Sequence, residues 1–158
     1  MAKEPTVPTK VLILVNGTPI DNDVVKLACR MTAKNMGDVY AIYVIELKRT
    51  LPLEAEVEPE IRKGEEVLDH IEHLAKDLGR DVETALLQAR DKGPAIVEEA
   101  VEREVNTILL GINYEKPFGE FSLGNTLPYV LKYAPCSVLI YREPIPIKET
   151  SIPQERQL

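Results

Sequence analysis

The stretch "GINYEKPFGEFSLGNT", Gly111–Thr126, carries glycines at 111, 119 and 124, directly after the apolar run "NTILLG". A buried strand that feeds closely spaced glycines brings backbone N–H groups near whatever lies beyond its end. Such groups bind phosphate without any cationic side chain. The competing reading of the same residues is a connection whose glycines permit close packing of the chain on itself. A second polar turn, "NGT", Asn16–Thr18, follows the first apolar run, "KVLILV".

The elements that would position these turns follow from the apolar pattern. Continuous β-branched runs at Lys10–Val15, Asp38–Ile45, Val82–Ala89, Asn106–Gly111 and Cys136–Tyr141 read as five strands buried on both faces. Helical spacing predicts helices over about Pro19–Met36, ending at Gly37, and over Pro59–Leu78, ending at Gly79. Thr18 is the expected N-cap of the first, with Pro19 and Asp21 in its opening turn. Two further helices are expected, one opening near Pro94 and one over "NTLPYVLKYA". Alternating strands and helices give an α/β fold, a largely parallel sheet with helices on both faces. In such sheets ligands bind beyond the C-terminal strand ends, where the winding reverses. If the first and fourth strands are neighbours, "NGT" and "GINY" line one crevice.

Other chemistry finds little footing. The chain has 158 residues, net charge −7 and 44% hydrophobic residues, which suits one domain and argues against non-specific nucleic-acid binding. Neither a nucleophile elbow nor a P-loop occurs. His70 and His73 sit three apart on the second helix and read as a solvated face rather than a metal pair. Asp21 and Asp23 read as helix-start carboxylates rather than a general base, Lys92 and Lys116 as solvated lysines although either could steer a phosphate, and the tyrosines at 40, 43, 129, 133 and 141 as core or interface residues. Cys29 and Cys136 read as buried thiols in a reducing compartment. With a polar, proline-bearing opening and no apolar run of membrane length, the expected location is cytoplasmic, with no membrane partner.

The order of elements, the "NGT" turn, "GPAIVEEA", the glycine-spaced loop and "LGNTLPYVLKYAPCSVLIYR" together resemble the universal stress protein family over about residues 10–142. The resemblance implies a three-layer sandwich around a five-stranded parallel sheet of order 3-2-1-4-5, the adenine nucleotide alpha-hydrolase-like fold. It also implies a homodimer, and in some members bound ATP. The nucleotide-binding members carry G-x2-G-x9-G-[ST] and an aspartate after the first strand. Carried onto this chain, the first glycine is Gly111 and the second falls on Tyr114. The third is Gly124, the Ser/Thr position falls on Asn125 beside Thr126, and the aspartate falls on Asn16, next to Gly17. The backbone that would face the adenine matches Val44.

These departures leave two readings open. In one, Gly111, Gly124, Asn125 and Thr126 hold phosphate and ribose, Asn16 the ribose side and Val44 the adenine edge. The chain is then a stress-response module that binds ATP or another adenine nucleotide without fast turnover, and not an enzyme in its own right, although slow ATP hydrolysis is not excluded. In the other, Tyr114 plugs the site and the chain is a ligand-free dimeric interaction protein. The last strand is an apolar edge whose self-pairing closes a two-fold dimer, so the expected homodimer runs through Val138–Tyr141. The domain is expected over 10–142, between flexible segments at 1–9 and 143–158.

Overall fold

The computed structural model describes residues 7–33, 36–113, 124–145 and 147. Five strands alternate with four helices: β1 Lys10–Leu14, α1 Ile20–Thr32, β2 Asp38–Glu46, α2 Glu58–Asp77, β3 Glu83–Ala89, α3 Lys92–Glu102, β4 Thr107–Ile112, α4 Thr126–Tyr133 and β5 Ser137–Arg142. All pair in parallel, as the apolar pattern led one to expect, and in the order β3-β2-β1-β4-β5 that the resemblance implied.

The apolar runs are continuous because β1 is buried on both faces. Val11, Ile13 and Val15 pack toward Val24, Val25 and Ala28 of α1 and Leu68 and Ile71 of α2. Leu12 and Leu14 pack on the opposite side with Ala95 and Ile96 of α3 and Leu127 and Val130 of α4. Each strand therefore serves two cores, the situation in which alternation disappears from the sequence. The edge strand β5 is different. Leu139 and Ile140 remain 40% and 42% exposed.

The first helix ends at Thr32 rather than reaching Met36. Arg80 explains the stop. Its guanidinium donates to Cys29 O at 2.6 Å, to Thr32 Oγ1 at 2.9 Å and to Gly37 O at 2.6 Å. These bonds add a charged donor to the Cys29 carbonyl, which also accepts from Thr32 Oγ1 at 3.3 Å, and tie the helix end to Gly37, just before β2. Thr18 does not cap α1. Pro19 occupies the N-cap in helical conformation without a side-chain cap bond, and Thr18 Oγ1 is buried with no hydrogen-bond partner.

The N-terminal segment is held as far back as Val7. Asn106 Oδ1 accepts from Thr9 N and Lys10 N, each at 3.2 Å, and Asn106 Nδ2 donates to Val7 O at 3.0 Å. Cys29 is buried and Cys136 half-buried, both are free, and burial pushes both thiols above their ordinary pKa.

Arg80→Met should lower the unfolding free energy in urea by about 1.5–3 kcal/mol, the range for lost bonds to a charged group. Arg80→Lys should recover little of it, because a single ammonium does not reproduce the planar fork across three acceptors.

Candidate functional site

Because β1 and β4 are adjacent and parallel, with Val11 opposite Thr107 and Ile13 opposite Leu109, the turns that leave them open on the same rim of the sheet. This is the reversal point of the winding. The chain steps from β1 to β2 and β3 on one side and returns to β4 and β5 on the other.

The turn after β1 is organised by an internal anion. Asp21, 3% exposed, accepts Asn16 N at 3.1 Å and Gly17 N at 2.7 Å through one carboxylate oxygen, and Asn16 N at 3.2 Å through the other. Two successive N–H groups converging on an oxygen form the concave arrangement that elsewhere binds phosphate. Here the chain's own carboxylate fills it, so Asp21 is the latch of the turn rather than a plain helix-start charge. Burial holds its pKa above the ordinary carboxylate range, against the opposing pull of the Asn16, Gly17 and Thr18 amides. Gly17, at φ +82°, turns away from the crevice and lines a separate cleft with Lys63, Val67 and His70, on the α1/α2 side.

Two clefts meet at the rim. The larger, about 440 Å³, lies between the first turns of α3 and α4 and is bounded by Glu46, Asp91, Lys92, Asn125, Thr126 and Tyr129. The smaller, about 290 Å³, is bounded by Asn16, Thr18, Lys92, Gly111, Asn113 and Thr126 over an apolar floor that includes Leu14 and Leu110. Lys92 and Thr126 belong to both. Lys92 is half-buried and its Nζ donates to Asn16 Oδ1 at 3.0 Å, so the solvated role expected for it is wrong.

The residues singled out in the sequence divide in an informative way. Asn16, Gly111, Gly124, Asn125 and Thr126 all reach the two clefts. Val44 is 4% exposed within the α3/α4 core and pairs with Leu87, so only its backbone is available to a ligand. Tyr114, and with it Lys116 and Gly119, lies outside the described residues. Gly111 and Gly124 serve different ends. A Cβ on Gly111 would stand 2.5 Å from Val24 Cγ2, so this glycine lets α1 approach β4. Gly124 has φ +66° with nothing within 4 Å of a would-be Cβ, so its requirement is conformational, at the entry to α4. His70 and His73 are exposed, His70 Nε2 lying 2.8 Å from Asn22 Oδ1 and His73 Nδ1 2.7 Å from Asp69 O. Among the described residues no group of three or more His, Cys, Asp or Glu side chains is placed to hold a metal ion.

Sequence reasoning missed the cleft positions of Glu46 and Tyr129, and read Lys92, which could steer a phosphate, as solvated. The tyrosine looked like core or interface because it falls in the last helix, four residues before Tyr133, whose ring centroid is 4.6 Å away. Lys92 left a signal. It opens a helix whose first turn has no acidic residue, where a cation opposes the helix dipole.

Gly111→Ala should cost about 1–3 kcal/mol of stability by overpacking against Val24, and Val24→Ala in the same chain should recover most of that loss. Asp21→Asn keeps one acceptor but turns an amide N–H toward the turn's own N–H groups. Since the folded-state pKa of Asp21 is raised from 3.8, folded protein takes up this proton before the unfolded chain does as pH falls. The Asp21 contribution is full below that value and declines as pH rises through the folded-state pKa. The stability advantage of wild type over Asp21→Asn, read by urea unfolding, should therefore narrow with rising pH across the carboxylate range. A widening advantage would mean that the amides, not burial, dominate.

The sequence profile of the universal stress protein family matches residues 8–142. A universal stress protein of Methanocaldococcus jannaschii is 26% identical over 141 residues, covering 85% of this chain and 82% of the relative. Among solved structures, a universal stress protein from Archaeoglobus fulgidus superposes with TM-score 0.70 at 21% identity, covering 84% of this chain and 97% of that one. A second structure from the same organism, in complex with dAMP, gives 0.67 at 18% identity over 85% and 98% of the two chains. The chain is a member of the universal stress protein family.

Proposed function

We propose that the chain is a stress-response module that holds an adenine nucleotide, ATP or a shorter one, across the β1/β4 crevice without fast turnover. The observation that carries this reading is the start of α4 at the junction of the two clefts, with no carboxylate at its N-cap, Asn125, or in its first turn. Helix α3 begins there too, but with the carboxylate of Asp91 at its N-cap. Helix α1 carries Asp21 and Asp23 in its first turn, and α2 carries Glu58 and Glu60. A helix N-terminus without its own carboxylate is a place where a ligand anion is stabilised. The dAMP bound by the archaeal structure of the same fold adds support.

In this reading the N–H groups at Asn125 and Thr126 and the Thr126 hydroxyl bind phosphate, while Gly111 and Gly124 leave the backbone accessible. Asn16 bonds a ribose hydroxyl, and the end of β2 at Val44 meets the base. Strand β2 continues to Glu46, past its last β1 partner, Ile42, so its backbone borders the crevice. The described residues lining the two clefts include no Cys and no His, in keeping with binding rather than group transfer. The same proposal includes a cytoplasmic homodimer closed by β5, whose edge leaves Leu139 and Ile140 exposed. No helix among the described residues is long and apolar enough to cross a membrane.

The second reading is a ligand-free dimeric interaction protein of the same fold. Gly111 favours it, since packing on Val24 accounts for that glycine without any ligand.

Thr126→Glu separates the two. A carboxylate in the first turn of α4 suits the helix dipole and leaves the fold intact or slightly stabilised, yet it repels a phosphate. Titration calorimetry and thermal shift with AMP and ATP should show binding by wild type and at least about a tenfold loss in the variant. No binding by wild type, or binding unchanged in Thr126→Glu, would overturn the nucleotide reading.

A further inference from the structure

The bond from Lys92 to Asn16 crosses the rim between α3 and the β1 turn, and Lys92 borders both clefts that meet there. Its partner is a neutral amide, and no ion pair between Lys92 and a carboxylate is present among the described residues. The ammonium stands at the first position of α3, where the helix dipole disfavours it. Half-buried, it is also deprived of part of its hydration. A cation held by a neutral acceptor under those conditions is under-compensated.

The two clefts differ in charge. Glu46 and Asp91 border the larger one, and Asp91 lies 3.8 Å from Arg49. In the smaller one Lys92 is the one charged group among the described lining residues, beside the polar side chains of Asn16, Asn113 and Thr126. Thr18 Oγ1, which also borders the smaller cleft, is buried and without a partner, an O–H donor left over.

Resting on the nucleotide reading above, we infer that Lys92 is the specificity-determining residue of the crevice. It selects a phosphorylated ligand over the bare nucleoside, by leaving Asn16 for a phosphate seated in the smaller cleft. A nucleoside must compete with Lys92 for Asn16 and gives the ammonium nothing in return. A nucleotide releases the Asn16 oxygen for a ribose hydroxyl and supplies the ammonium with an anionic acceptor in place of a neutral one.

This assigns an unusual sign to one substitution. The family pattern has an aspartate where this chain has Asn16, and restoring it would ordinarily favour ribose binding. Here Asn16→Asp gives Lys92 a carboxylate 3.0 Å away in place of the amide, which locks the bridge and adds negative charge beside the phosphate seat.

The test is titration calorimetry of wild type, Lys92→Met and Asn16→Asp with adenosine and with AMP, each variant checked by circular dichroism. Wild type should prefer AMP over adenosine by about tenfold or more, the scale of one charge-assisted contact. Lys92→Met should bring the two ligands to within about threefold, with adenosine bound as well as before or better. Asn16→Asp should weaken AMP by about tenfold. An AMP preference that survives in Lys92→Met, or AMP bound more tightly by Asn16→Asp, overturns the selector role and leaves the nucleotide reading standing. Failure of wild type to bind either ligand overturns both.

Discussion

The pairing of β1 with β2 on one edge and β4 on the other is the constraint from which the rest follows. It makes β1 the central strand, buried on both faces, and places the reversal of winding beside it. Right-handed crossovers then put α1 and α2 over one face and α3 and α4 over the other, which is the division seen in the two apolar cores. The rim at the reversal is left uncovered by any crossover. Two turns and two helix starts meet there because the topology leaves them no other place.

What the rim can do is decided by how its polar groups are already spent. The amides of the β1 turn are committed to Asp21, which makes that turn rigid without a ligand and removes it as an anion site. Among the described residues α4 has no acidic side chain in its first turn. In the proposed reading, charge recognition falls to the start of α4 and to Lys92, which reaches from α3 to the β1 turn. A neutral residue at position 16 and a cation at position 92 fit together in this division: the first anchors the second without neutralising it.

The fold was legible because each strand announced itself by a continuous apolar run and each helix by its spacing, and because the C-terminal stretch resembled a known family. Boundaries were less so. The pattern ran α1 on to Met36, and only a guanidinium from a distant loop, Arg80, shows why it stops at Thr32. Within the site, Asn16, Gly124, Asn125 and Thr126 were found from motif positions and do share the rim. Tyr129 was not, and Lys92, though able to steer a phosphate, was read as solvated, since their contribution depends on which face of a helix meets a cleft formed by segments remote in sequence. Thr18 was misread for a related reason. A hydroxyl before a helix usually caps it, but Asp21 gathers the N–H groups of this turn and Pro19 takes the cap position.

Gly111 carries a consequence for how the loop pattern is read. Its missing side chain is demanded by a valine on the helix behind the sheet, and no molecule in the crevice needs to be present for that demand to hold. A chain of this fold that held no small molecule would still need this glycine for packing, and Gly124 for its positive φ, whereas nothing in the packing would hold Lys92. The most eye-catching member of the loop pattern thus reports on the helix behind the sheet.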